Sequence, residues 1–165
     1  MIRFKMTSQL FSEIQIDLHR RHAFAHERVG FVGAGLALHG GCCTVLAHSY
    51  APVADEDYLD DPSVGAMMGP DAMHKAMAWA FEQGVALFHI HAHGGSGVPG
   101  FSGIDLRESA KFVPDFFKVR PERPHGAIVL SNTHAFGRIW LGRKLAPQRI
   151  DEFRLIGPRC RKWRT

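Results

Sequence analysis

The sequence predicts an α/β domain built around one central sheet, and three observations lead there. Apolar runs of strand character alternate with segments of helical period along the chain. Gly40-Gly41 divides one long apolar stretch in the manner of a hairpin turn. A buried strand, 85–91, runs histidine-rich into a glycine-rich loop and then into a helix start.

The elements follow in order. Ile2, Phe4 and Met6 alternate with cations, as in a short half-buried strand. Thr7 or Ser8 can cap a helix in which Leu10, Ile14 and Leu18 recur every four residues. Ile14, Ile16 and Leu18 also alternate, which leaves a strand as the other reading; the helix is preferred. Residues 28–38 and 42–50 form the two arms of the hairpin, and an acidic loop bounded by Pro and Gly follows from Ala51 to Gly69. Pro70 opens a helix with Met73, Met77, Ala80 and Phe81 on one face, and Gly84 closes it. Ser102-Gly-Ile-Asp105 begins a further helix that Pro114 should kink or end. Strands near 126–130 and 136–141 complete the pattern, joined by Ser131-Asn132-Thr133-His134.

At 165 residues the chain suits a single domain, 1–165, with one core. Apolar content of 45% beside 22% charge excludes a disordered polyelectrolyte. The first residues do not read as a signal peptide, and no run approaches the roughly 18 apolar residues of a membrane span. A cytoplasmic protein with no membrane partner is expected. Cys42, Cys43 and Cys160 form no Cys-x-x-Cys pair, so they predict neither a thiolate metal site nor a redox centre. Nine of the 20 basic residues fall in 138–165 against only Asp151 and Glu152. This basic tail, about 143–165, is expected to be a solvated end; Trp163 alone interleaves with its cations, so nucleic acid is not the expected partner.

The chemistry concentrates between His89 and Asp105. His89, His91 and His93 stand at strand spacing, so all three can share one face. Such a strand must satisfy six ring nitrogens with hydrogen bonds or metal. His91 and His93 supply two zinc ligands, and the glycines of the loop let the chain return so that Asp105 supplies a third. Two histidines and one aspartate leave a coordination place for water. Ser102 and Asp105 also match a helix capping box, and both roles can hold together.

His91-Ala-His93, eight residues, then Ser102-Gly-Ile-Asp105 resembles the His-x-His…Ser-x-x-Asp signature of the JAB/MPN (JAMM) zinc metalloproteases. Glu27-Arg-Val-Gly30 is similar to the Glu-x-x-Gly that this family carries on the strand after its first helix. The layout over roughly 7–142 is similar as well. The resemblance implies a cytidine-deaminase-like mixed sheet flanked by helices. It also implies one Zn2+ per chain and deubiquitinase-like cleavage of isopeptide or peptide bonds at the C-terminus of a ubiquitin-like protein. Carried over, His91, His93 and Asp105 are metal ligands, Glu27 is the general base and Ser102 stabilises the oxyanion. Stand-alone bacterial JAB peptidases further imply E1/ThiF-like and E2-like enzymes as partners. The spacer before Ser102 is one residue longer than is usual in that family, and no proline follows His93. His89 with His91 is therefore an alternative register, in which His93 is no ligand.

Two rival readings belong to other classes. A non-catalytic JAB scaffold would have lost ligands that this chain keeps, and a nucleic-acid binder would rest on the basic tail alone. The acidic loop is expected either to wall a substrate groove, with Asp55, Glu56, Asp57, Asp60 and Asp61 steering a basic tail and Met67 and Met68 packing against it, or to be merely solvated.

Overall fold

Alternation along Ile2, Phe4 and Met6 produces the strand β1 (Ile2–Thr7), whose three apolar side chains are all buried. Thr7 then caps α1 (Ser8–Leu18), its Oγ1 accepting the Leu10 N–H at 3.1 Å. Leu10, Ile14 and Leu18 form the buried stripe, while Ile16 stays 75% exposed, which resolves the helix–strand ambiguity of this segment. Each of the three side chains contributes about 1.5–3 kcal/mol by leaving water.

A computed structural model describes residues 1–158 and 160–164. The hairpin consists of β2 (Val29–His39) and β3 (Cys42–Pro52), with Gly40 and Gly41 both at positive φ in the turn. A register shift between Gly33 and Ala34 leaves His48 bulged out of the ladder. A short 3-10 helix (Asp55–Asp57) and the two-residue strands β4 (Tyr58–Leu59) and β5 (Met67–Met68) follow. The stretch expected as one acidic loop thus carries structure of its own. Next come α2 (Pro70–Gln83), β6 (Ala86–Ala92), α3 (Gly103–Phe116), β7 (His125–Leu130) and β8 (Ala135–Trp140). The chain continues with β9 (Gln148–Arg149), β10 (Glu152–Ile156) and β11 (Arg161–Arg164).

Among the described residues, nine strands form one mixed sheet in the order β11-β10-β1-β3-β2-β6-β7-β8-β9. β4 and β5 pair apart from it. Strand β6 pairs parallel with β7, as the crossover through α3 requires, and antiparallel with β2. The period of two along β6 divides the layers. Phe88 and Ile90 join α1 in one core, whereas Leu87 joins α2 and α3 in the other. His89 and His91 are in phase with Leu87, so they face the layer of α3.

Two expectations are corrected. The buried stripe of α2 is Ala72, Ala76 and Ala80; of the expected face only Ala80 is fully buried, with Met73 and Met77 half-buried against the same core, and small residues let the helix approach the sheet closely. Phe81 is 60% exposed and lies under Arg120. Pro114 stands inside α3, which ends at Phe116, two residues beyond it. The basic tail is no solvated end. Phe153 and Leu155 of β10 enter the α1 core, β10 pairs parallel with β1, and buried Glu152 gathers Arg3, Arg154 and Lys162. Arg159 and Thr165 lie outside the described residues.

Candidate metal centre

The site begins with one strand end and one helix start. His91 is buried on β6, and the chain leaves the strand with the His93 N–H donating to the Leu130 carbonyl at 2.8 Å. That bond ties the second histidine to the neighbouring strand. The glycine-rich loop then turns back through Gly95 and Gly97, both at φ above +90°, where any other residue would be strained. Its path is held from the β7–β8 turn. Ser131 Oγ donates to the Gly97 carbonyl at 2.7 Å, and the Gly97 N–H donates to Thr133 Oγ1 at 2.9 Å.

The loop ends at Ser102, the N-cap of α3. Ser102 Oγ accepts the Asp105 N–H at 3.1 Å, and Asp105 Oδ2 accepts the Ser102 N–H at 2.7 Å. The expected capping box is therefore present, and it fixes the Asp105 carboxylate. Partial burial pushes the Asp105 pKa up. The opposing pull of His91 and of the Ser102 N–H is stronger and holds it well below the usual carboxylate range. Asp105 stays ionised, as a metal ligand must.

Three atoms converge at this corner. Nε2 of His91 and Nε2 of His93 are 3.2 Å apart, and Asp105 Oδ2 lies 3.5 Å from the first and 3.4 Å from the second. The two contacts to oxygen are long for N–H···O hydrogen bonds. A near-equilateral triangle of this size matches the edge of a tetrahedron with zinc–ligand bonds of ~2.0–2.1 Å, which is about 3.3–3.4 Å. Two imidazoles and one carboxylate are also a donor set that zinc takes in catalytic sites. The residues fit the ion.

Glu27 stands beside the same histidines. One carboxylate oxygen of Glu27 and one nitrogen each of His91 and His93 all lie within 4.8 Å of one another. The two carboxylates therefore compete for the third position. Asp105 has the ligand-edge distances to both histidines, and Glu27 stands close enough to reach a molecule held there. Glu27 precedes β2 instead of lying on a strand, and its N–H donates to the Gly65 carbonyl at 2.9 Å. A Cβ on Gly65 would come within 2.7 Å of the Glu27 carboxyl carbon, so a side chain there would push that carboxylate from its present place. Gly65 was not singled out by sequence, and no local pattern marks it.

The structure brings His91, His93, Asp105 and Glu27 together, and it sets His89 apart from the triangle. His89 is 8% exposed, its ring packs on Phe31 and Phe112, and burial pushes its pKa down to about 3. His89 Nε2 and His91 Nδ1 are both buried without a hydrogen-bond partner. Ser102 is exposed, and its hydroxyl oxygen serves the helix cap while its proton remains free to donate. His39, His48 and His74 are exposed, and His134 stacks on Trp163. His125 is buried, with Nδ1 accepting the Leu87 N–H and Nε2 against the Arg120 carbonyl.

A cavity of 610 Å³ opens beside the triangle. Its floor includes His89 and His91, and one wall is Ser63–Gly69 without Gly65, running on to Pro70 and Met73. The expected wall from the acidic loop is thus built by Met67 and Met68 and not by the acids. Asp57 pairs with Lys75, Asp55 with Arg28 and Arg20, and Asp61 with Ser63. These carboxylates are spent on holding the loop.

No protein-family model and no curated protein matches the chain. Among solved structures, the N-terminal domain of STIL from Trichoplax adhaerens is similar over 81% of this chain, at 11% identity and a TM-score of 0.46. The chain spans 40% of that protein's length, and a likeness of this degree carries no argument about the site. No described helix is long and apolar enough to cross a membrane.

Proposed function

We propose that the chain is a zinc-dependent peptidase of the JAMM type, which removes or processes a ubiquitin-like modifier or a similar C-terminal conjugate. The observation that carries the reading is the triangle of His91 Nε2, His93 Nε2 and Asp105 Oδ2, with the Glu27 carboxylate beside it. The motif resemblance and the mixed sheet flanked by helices support the family; the substrate class and the E1/ThiF-like or E2-like partners rest on the resemblance alone.

In this reading His91, His93 and Asp105 hold one zinc ion. Zinc would supply Lewis acidity there, lowering the pKa of a water and polarising a carbonyl. Glu27 accepts the proton of the attacking water and returns it to the departing amine. Gly65 lets that carboxylate sit close to the histidine pair. Ser102, its oxygen already used by the cap, donates its hydroxyl proton to the developing oxyanion. The capping box couples these roles, because the turn that fixes Asp105 also fixes Ser102.

The test is cleavage of a panel of ubiquitin-like fusions and isopeptide conjugates by zinc-loaded protein. Chelation should abolish cutting. Glu27→Gln should keep zinc and fold while turnover falls by about 100-fold or more. Cutting by Glu27→Gln at the wild-type rate would refute the mechanism.

A further inference from the structure

The sheet is covered unevenly. On the face opposite α1, the second core draws on Phe31 of β2, Leu87 of β6, Ala127 of β7 and Trp140 of β8, together with α2 and α3. It takes no described residue from β1, β3, β10 or β11. Register shows what those strands present on that face. Ile2, Phe4 and Met6 of β1 and Phe153 and Leu155 of β10 enter the α1 core, so the alternate residues point the other way. Cross-strand partners share a face, and two rows result: Arg164, Glu152, Arg3 and Thr44, then Lys162, Arg154, Lys5 and Leu46. Five cations thus stand on three adjacent strands, ~4.8 Å apart, against the single carboxylate of Glu152. Arg154 lies directly across from Lys162 and beside Lys5, a like-charge juxtaposition that costs stability. Glu152 takes up Arg3, Arg154 and Lys162, whereas Lys5 and Arg164 have no carboxylate partner among the described residues. Lys162 and Arg164 are exposed, and Lys5 and Arg154 are half-buried.

We propose that this open sheet face binds the phosphate backbone of a nucleic-acid duplex. The proposal goes beyond the peptidase reading and does not depend on it. The sequence set nucleic acid aside because the cations were read as a solvated tail. The fold changes that premise, since β10 and β11 carry the tail onto the sheet and β1 brings Arg3 and Lys5 beside it from the other end of the chain. Charge complementarity selects a polyanion. A protein partner would call for an apolar or aromatic anchor at the centre of the contact, and a membrane surface for side chains that insert into it. Leu46 is the single large apolar side chain in the two rows. The aromatic residues of these strands, Phe4, Phe153 and Trp163, are all turned to the α1 core. Bases therefore find no stacking platform, which disfavours a single strand. Backbone phosphates require only cations on a regular surface, and binding to them is independent of base sequence.

The experiment is fluorescence anisotropy of the full chain with a labelled DNA duplex of mixed sequence, about two helical turns long, across a range of salt. With about four phosphates neutralised, affinity should fall about 100-fold between roughly 50 and 200 mM NaCl. A Lys5→Gln, Arg164→Gln double variant should lower the log–log salt slope by about two and weaken binding about 10-fold or more at the lower salt. Both residues stand outside the Glu152 contacts, so melting behaviour and zinc content should hold. An Arg143→Gln, Lys144→Gln double variant removes the same charge from the exposed turn after β8 and should bind within about twofold of wild type. Absence of binding at the lower salt, wild-type affinity in the first double variant, or an equal loss in the second would overturn the inference. Tighter binding to mixed phosphatidylcholine–phosphatidylserine vesicles, or to polyglutamate, than to the duplex would overturn it as well. Cleavage of conjugates enters none of these readouts, so the peptidase reading and this one can each fail alone.

Discussion

Two of the places where polar groups are buried treat them in opposite ways. At the C-terminal edge Glu152 is buried, and its carboxylate meets Arg154 and Lys162 directly, with Arg3 at 3.4 Å. Burial pushes the Glu152 pKa up, but the pull of those cations wins and lowers it to about 2. At the strand end of β6, by contrast, His89 Nε2 and His91 Nδ1 are buried and unpaired. Three further ligand atoms there face one another across a gap of 3.2–3.5 Å with nothing of the chain between them. Arg3 Nε, Arg28 Nη1 and Ser49 Oγ are also buried without a hydrogen bond, so an unpaired atom alone marks no site; what sets the end of β6 apart is that its ligand atoms converge. A saturated carboxylate explains itself; a converging unsaturated set does not.

The first way to break this comparison is at the saturated end. Glu152→Gln leaves Arg3, Arg154 and Lys162 without their common anion and should lower stability by about 1.5–3 kcal/mol, the range for hydrogen bonds to charged groups. Denaturant unfolding measures it. Metal content and cleavage should be unchanged, and a loss of either would join the two regions that are here held apart.

A smaller effect sharpens the contrast among histidines. Both nitrogens of His125 have partners, and burial pushes its pKa down to about 4, below the ordinary value of 6.5. The unfolded chain therefore binds the extra proton first. Stability from this group is complete above about pH 6.5 and falls as the pH drops towards 4, by up to ~1.4 kcal/mol per pH unit. Unfolding free energies between pH 7 and 5, followed with the His125 imidazole resonances, should show that slope while His125 stays neutral. A flat profile, or a His125 that titrates near 6.5 in the folded state, would remove it from the saturated class.

Much of the site was legible in the sequence because its signals are local. His91, His93, Ser102 and Asp105 fall within fifteen residues, and strand and helix periods alone put the histidines on one face and the carboxylate on a first turn. The choice between His89 and His93 was open, since both suit an extended strand; it turns on where the chain leaves β6, a point set by the His93–Leu130 bond. Gly65 and Tyr58 were illegible, because their meaning depends on Glu27 and Val29 more than 25 residues away in sequence. The tail misled for the same reason. Its cations dominate the composition, while the alternation of Phe153 and Leu155 acquires a purpose only once β1, some 150 residues earlier, offers an edge to pair with.

The central claim is that the unsaturated corner exists to hold a metal ion, and metal content tests it most directly. Protein should be stripped with chelator, offered zinc, desalted and measured by elemental analysis, alongside a His91→Ala, Asp105→Ala double variant and His89→Gln. The account predicts roughly one zinc per chain in the wild type, none retained by the double variant and near-wild-type content in His89→Gln. Zinc held unchanged by the double variant, or lost from His89→Gln while the fold survives, would contradict it.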